Sequence, residues 1–220
     1  PADHIGDFLA AFHQFDFGAG EDLGARLESV EVDPGSVTHV INSHLHFDHC
    51  GGNCQLPNAT IVTQGVEWEA AFELGQERGY VQADFDTGQP TQRVTGEHDL
   101  FGDGTVVCIP TPGHTPGHQS LRVRTETEEF ILCGDACYLK HSLDELALPG
   151  VIADPDQALQ SLKLLRSFRD AGATIMYGHD PEFWQQVPQS PLRLAQRHLV
   201  AREAPLPFAG GNRHQTVASA

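Results

Sequence analysis

The chain of 220 residues suffices for one sizeable hydrophobic core but not comfortably for two. Thirty Asp and Glu against 13 Lys and Arg give a formal charge of −17, and 26 of the acidic but only 6 of the basic residues precede residue 157, so phosphate is repelled and a nucleic-acid partner is excluded. No stretch approaches the roughly 18 apolar residues of a membrane span, and the 22 glycines and 14 prolines suit a many-stranded domain rather than a helical bundle.

Ile5, Phe8, Leu9, Phe12 and Phe15 recur at helical spacing, and residues 3–15 read as a covering helix or an ordered loop. A short helix is expected over Glu21–Val30, stopped before Asp33-Pro34. Val37–Ile41 is β-branched and apolar and reads as a buried strand. It feeds His44-Leu-His-Phe-Asp-His49, three imidazoles and a carboxylate of the kind a divalent first-row cation takes. In an extended segment alternate side chains share a face. His44 and His46 then serve one ion, while Asp48 and His49 turn toward a second. Gly51-Gly52 frees the backbone to turn away. The plain alternative is a solvated histidine-rich loop.

Ala59–Thr63 is a predicted strand and Glu67–Leu74 a helix stopped by Gly75. From Gln76 to Glu97 no periodicity holds, and the stretch reads either as a substrate-facing loop or as a mobile surface insertion. Val106–Ile109, Gln119–Arg124 and Glu129–Leu132 are predicted strands of a second sheet. Between the first two lies Thr111-Pro-Gly-His-Thr-Pro-Gly-His118, a turn stiffened by Pro and Gly. Asp135 stands just past Phe130–Leu132, and His179 behind the short apolar strand that starts at Thr174. Strand, glycine, then His or Asp is a repeated pattern, and converging strand ends would gather these residues into one cleft. Lys140–Gly150 is a loop beside them. Asp154-Pro155 opens the clearest helix, with Ala158, Leu159, Leu162, Leu165 and Phe168 as its apolar stripe and Gly172 at its end. A helix is allowed over Leu192–Arg202, followed by a tail expected to be flexible over 205–220. Five cysteines are odd in number and sparse; Cys108 and Cys133 read as free buried thiols, which favours a reducing cytoplasm.

The ordered set His-x-His-x-Asp-His, Pro-Gly-His, Gly-Asp and Gly-His, from about Val37 to Pro181, resembles the ligand set of the metallo-β-lactamase superfamily. The resemblance implies an α/β fold, a four-layer αβ/βα sandwich with the metals at one edge, within a single domain over 1–220. It implies two divalent cations, zinc foremost, with iron, manganese and cobalt tolerated by the same ligands. His44, His46 and His114 would hold one, Asp48, His49 and His179 the other, and Asp135 would bridge. His118 falls outside the set and is expected to stiffen its turn through a hydrogen bond. The superfamily normally begins with strands leading into an Asp-Thr-Gly turn. Residues 1–15 resemble the segment just after that turn, so N-terminal strands are expected to be missing from this numbering.

Tyr138, three places after Asp135 in Asp-Ala-Cys-Tyr, resembles the Asp-Ala-Ser-Tyr stretch of N-acyl-homoserine lactone lactonases, whose tyrosine hydroxyl points at the substrate carbonyl. Its plain alternative is a half-buried packing tyrosine. The implied activity is opening of the lactone ring by a metal-bridging hydroxide, with Asp135 and Tyr138 as catalytic residues. Leu143, Leu146 and Leu148 would line an acyl-chain groove or simply anchor their loop. The expected partner is a small lactone, with a homodimer left open. The true β-lactamases fit less well, since their best-known branch has a cysteine in place of Asp135. Hydroxyacylglutathione hydrolases share every ligand and use C-terminal basic residues, for which Arg193, Arg197, Arg202 and Arg213 are available. Another small-lactone hydrolase, or a metal-binding protein without catalysis, completes the alternatives.

Overall fold

The computed structural model describes residues 2–11 and 18–188. Residues 1–186 form one unit and 187–220 a second, which lies almost wholly outside the described residues. Phe12, Phe15, the Leu192–Arg202 segment, the four C-terminal arginines and the 205–220 tail therefore fall outside them as well.

The chain opens with α1 (Ala2–Ala10), kinked at Gly6, which buries Ile5 and Leu9 against Val81. Next comes α2 (Leu23–Glu28), whose first turn is capped by the Asp22 carboxylate accepting from the Ala25 N–H. Three parallel strands follow: β1 (His39–Ile41), β2 (Thr60–Gln64) and β3 (Thr91–Val94), in the order β1-β2-β3. Parallel neighbours need crossovers. The first carries α3 (Phe47–Cys50), and the second carries α4 (Gly65–Leu74) and α5 (Gln82–Phe85).

A second sheet has the order β4-β5-β6-β7-β8: β4 (His98–Asp99), β5 (Val106–Pro110), β6 (Gln119–Arg124), β7 (Glu129–Leu132) and β8 (Thr174–Met176). β4 to β7 run antiparallel in succession, whereas β8 lies parallel to β7 after a crossover through α6 (Lys140–Glu145) and α7 (Pro155–Asp170). A last helix, α8 (Pro181–Gln186), follows β8.

Period-two alternation sorts the strand side chains into layers. Val62 and Val94 from the first sheet meet Cys108 from the second, with Ile41, Leu100 and Leu121 around them. A buried bond from Gln64 Nε2 to Gln119 Oε1 (2.9 Å) ties the two sheets where this apolar layer ends. Outside the first sheet, Trp68 and Ala71 of α4 pack with Leu45, Cys50, Tyr80 and Phe85. Outside the second, Leu162 and Leu165 of α7 cover Ile131 and Ile175. Helix, sheet, sheet, helix is the expected four-layer sandwich. Among the described residues no helix is long and apolar enough to cross a membrane.

Four local expectations need correction. β1 is half-buried rather than buried, because it is the edge strand of its sheet. The ligand segment is extended only to His46, after which α3 takes Asp48 and His49 around one helical turn. Gln76–Glu97 is no loose insertion: it supplies α5, β3 and the buried Tyr80 and Phe85, whose packing on Trp68 overrides its polar composition. Lys140–Gly150 starts as α6 and Leu143 lies in the core with Ile131 and Leu162, so for Leu143 the anchoring role holds; Leu148 is exposed.

Candidate metal centre

β5, β7 and β8 all run in one direction, since each antiparallel step through β6 reverses the chain and β8 follows β7 in parallel. Their C-terminal ends therefore share one edge of the second sheet. His114 follows β5, Asp135 follows β7 and His179 follows β8. The first sheet adds His44 and His46 just beyond β1, and α3 adds Asp48 and His49.

The turn bearing His114 is held at its base by the Thr111 N–H donating to the His118 carbonyl (2.9 Å). It is wedged between two helices, and its glycines are there for proximity. A Cβ on Gly113, whose φ is +134°, would overlap the backbone N and Cα of Ala158 in α7 and lie 2.6 Å from its Cβ. A Cβ on Gly117 would lie 2.6 Å from the Cα and Cβ of Glu67 in α4.

All seven expected ligands come together. His44 Nε2 and His114 Nε2 each stand 3.1 Å from His46 Nδ1. Three nitrogens around a tetrahedral zinc at about 2.1 Å would stand about 3.4 Å apart, so the spacing fits a shared cation. His114 Nδ1 donates to the Val151 carbonyl (2.9 Å), which fixes the tautomer and leaves the Nε2 lone pair facing the cluster. On the other side, Asp135 Oδ1 lies 3.1 Å from Nε2 of both His49 and His179, and Asp48 Oδ2 lies 3.4 Å from His49 Nε2. Asp135 Oδ2 faces the opposite way, 3.4 Å from His114 Nε2. Neither approach to Oδ1 is aligned as a hydrogen bond, so His49 Nε2 and Asp135 Oδ1 are buried polar atoms without a hydrogen-bond partner. Buried groups of this kind call for an explanation, and a divalent cation between them supplies one. The set His44, His46, His114 and the set Asp48, His49, His179 are each close enough to hold one ion, and so are His44, His49 and Asp135. The floor (His44, His114, Asp135) is buried, whereas Asp48 and His179 are exposed, so the cluster is the bottom of a cleft.

Electrostatics divides the two halves. Burial pushes His44 well below its ordinary range, and burial with the neighbouring His114 brings His46 down to about 4. Burial also lowers His114, against the pull of Asp135. Burial opposes charge on His49 too, but the Asp135 and Asp48 carboxylates outweigh it and lift His49 to about 10. Asp135 raises His179 as well. Asp135 itself is held far below the usual carboxylate range, because the His179 and His49 imidazoles overcome the cost of its burial. One half is thus a cluster of neutral imidazoles and the other an anionic cluster that attracts protons when no cation is bound.

Tyr138 is half-buried at the rim, its hydroxyl 3.3 Å from His114 Nδ1 and its ring centroid 5.1 Å from that of His179. Since His114 Nδ1 carries the proton given to Val151, the tyrosine oxygen is an acceptor there, and burial together with the neighbouring Asp135 carboxylate keeps its phenol protonated.

His118 is fully buried and belongs to none of the candidate ligand sets. Its Nε2 accepts from the Asp135 N–H (3.1 Å), so Nδ1 carries the proton and donates to Thr111 Oγ1 (2.9 Å). Thr111 then donates to Ser120 Oγ (2.8 Å), and Ser120 to the Cys133 carbonyl (3.3 Å). This chain ties the ends of β5, β6 and β7 to Asp135, as the stiffening role required. Burial lowers His118 to about 3, consistent with a neutral ring.

Sequence reasoning missed Thr111, Ser120, the Val151 carbonyl and Glu67. Only Glu67 left a signal: it shares a helical stripe with the buried Ala70 and Ala71, where an apolar residue belongs.

Residues 15–179 match the metallo-beta-lactamase superfamily. The N-acyl homoserine lactonase AttM of Rhizobium radiobacter is 38% identical over 175 residues, 76% of this chain and 66% of its own length. The N-acyl homoserine lactonase AiiA of Bacillus thuringiensis subsp. kurstaki is 35% identical over 159 residues, 71% of this chain and 61% of its own. A solved N-acyl homoserine lactone hydrolase, with the product N-hexanoyl-L-homoserine at its catalytic metal centre, superposes with a TM-score of 0.72 at 32% identity, covering 80% of this chain and 69% of that one. The chain spans about two thirds of the length of the relatives it matches. With its strand-end His and Asp cluster and well over half of its residues matched, the chain belongs to the metallo-β-lactamase superfamily.

Proposed function

We propose that the protein is a dinuclear-metal hydrolase that opens the lactone ring of N-acyl-homoserine lactones. The observation that carries this reading is the pocket in which three neutral imidazoles face an Asp135-centred anionic half, with the Tyr138 hydroxyl at the rim. The names of its relatives, N-acyl homoserine lactonases, support the substrate class. The formal charge of −17 suits an uncharged substrate.

His44, His46 and His114 would hold one cation and Asp48, His49 and His179 the other, with Asp135 standing between the two sets, Oδ2 toward His114 and Oδ1 toward His49 and His179. Zinc is the first candidate for these nitrogen and carboxylate donors. When bound, two such cations supply Lewis acidity, lowering the pKa of water toward about 7 and polarising an ester carbonyl. Tyr138 donates its O–H to the carbonyl oxygen as negative charge develops there, a contribution of about 3 kcal/mol for a preorganised donor. Asp135 reaches both halves, so it accepts the proton of the attacking water and returns it to the departing ring oxygen. The five cysteines are free thiols, as suits a reducing cytoplasm.

The test is turnover by purified protein supplied with two equivalents of zinc, on N-hexanoyl-homoserine lactone and, in parallel, on lactoylglutathione. Ring opening of the lactone is expected. Thioester hydrolysis without lactone hydrolysis would move the protein to the glutathione branch, and no turnover of any ester would leave a metal-binding protein.

A further inference from the structure

We propose that Glu67 is a positioning residue that sets the spacing between the two loops carrying His44, His46 and His114. It rests on the two-cation reading above and adds a residue that is no ligand.

Glu67 stands in the first turn of α4, a helix of the outer layer, and none of its surface is exposed. A glutamate at this place commonly turns back to the first N–H of its own helix. Here it reaches out instead. Oε1 accepts from the Leu45 N–H (3.0 Å), between His44 and His46 in the chain. Oε2 accepts from the Gly117 N–H (3.0 Å), in the turn that carries His114. One rigid carboxylate thus holds both ligand loops at once, at the level where their imidazole nitrogens are 3.1 Å apart. Among the described residues no Lys, Arg or His is ion-paired with it; burial raises its carboxyl above the usual range, and the Leu45 and Gly117 N–H groups, with the Thr115 and Tyr80 hydroxyls, act against that rise. A buried carboxylate without a counter-ion costs stability that an apolar residue on the same stripe would spare. What it provides in return is the register between loops from two different sheets. The bare glycine at 117 completes the fit, because only without a Cβ can the turn lie on the first turn of α4.

The chain's other half-site adjoins this link at His46 and His118 but has further supports of its own. Asp48 and His49 are held by α3, and Asp135 and His179 by the ends of β7 and β8. Loss of the Glu67 clamp should therefore weaken one cation and spare the other.

The experiment is cobalt(II) uptake by the metal-free full chain, followed by equilibrium dialysis and by the visible absorption of the bound ion. Glu67→Gln keeps the shape but turns one acceptor into an amide donor facing an N–H. Glu67→Met fills the space with no acceptor at all and guards against misfolding from a buried mismatch. The native chain is expected to take up two ions. Both variants should keep one at native affinity and bind the other about tenfold or more weakly, the usual cost of losing a group that orients metal ligands. The rise in unfolding temperature on adding cobalt should shrink accordingly. Two ions bound at native affinity by either folded variant would overturn the proposal, as would failure of both variants to fold, which would make Glu67 a packing residue. A native chain that takes up fewer than two ions would instead refute the two-cation reading itself.

Discussion

Gly113→Ala tests whether the His114 turn is built on close approach rather than on flexibility. Two penalties act together. The φ of +134° is a glycine conformation, and forcing an L side chain into it costs about 1–3 kcal/mol. The new methyl would also overlap the backbone of Ala158 where α7 begins. That backbone cannot rotate away, because the N–H groups of Ala153 and Asp154 donate to the Gly113 carbonyl (2.7 and 3.0 Å) and Asp154 caps the helix. Overpacking of this kind costs about a further 1–3 kcal/mol. A central total of about 4 kcal/mol is a large share of the 5–15 kcal/mol that holds a typical domain folded. At about 2–4 °C per kcal/mol for a chain of this size, the unfolding midpoint should fall by about 8–16 °C. Circular dichroism melting of the metal-free protein reads the effect without the metal site intervening. The double variant Gly113→Ala/Ala158→Gly sharpens the test, since trimming the Ala158 side chain leaves the backbone overlap in place and should not restore stability. A midpoint within about 2 °C of native for the single variant, or full rescue in the double, would refute the reasoning.

Leu143→Ala should cost about 2–5 kcal/mol in denaturant unfolding, because Leu143 is fully buried among Ile131, Leu162 and Leu165, and KM should stay constant across lactones of different chain length. A selective rise in KM for long acyl chains would return Leu143 to the groove. Tyr138→Phe should lower kcat about a hundredfold, equivalent to about 3 kcal/mol, with metal content unchanged; an unaltered kcat would remove the hydroxyl from the reaction. Because the neighbouring carboxylates lift His49 to about 10, it carries a proton at neutral pH that a cation must displace, whereas the lowered His44, His46 and His114 are already neutral. Uptake into the His49 half should release a proton and weaken as pH falls, while the other half binds with little pH dependence above pH 7; titration calorimetry in buffers of different ionisation enthalpy would expose a common proton count and so refute this.

The candidate ligands were legible because their chemistry is local. Imidazole and carboxylate in His44–His49 mark a cation site whatever the fold, and glycines after apolar runs mark strand ends. The long helix was equally readable, since Asp154, Pro155 and the stripe at Ala158, Leu162 and Leu165 all agree. What escaped depends on neighbours far along the chain. Gln76–Glu97 looked structureless because its order comes from Tyr80 and Phe85 packing on Trp68 and from β3 pairing with β2, neither of which leaves a period in the segment itself. Glu67 looked like its surface neighbours Glu69 and Glu73; its place on the Ala70 and Ala71 stripe set it apart, but the partners that explain it, the backbone N–H groups of Leu45 and Gly117, lie in other elements.

The glycines make the same distinction in another form. In the sequence, Gly113 and Gly117 are equivalent punctuation in a repeated Thr-Pro-Gly-His. In the fold, Gly113 holds a positive φ that an L side chain rarely adopts and meets α7, while Gly117 has an ordinary φ and meets α4. One turn therefore touches both outer helix layers, and through Glu67 and Ala158 each layer helps to fix where His114 points. A cluster of catalytic metals needs donors held to about half an ångström, and loops alone do not hold that well. Here the tolerance comes from helices on opposite faces of the sandwich gripping a single turn, so a substitution in either helix far from the cleft should be felt first as altered cation affinity and only then as altered chemistry.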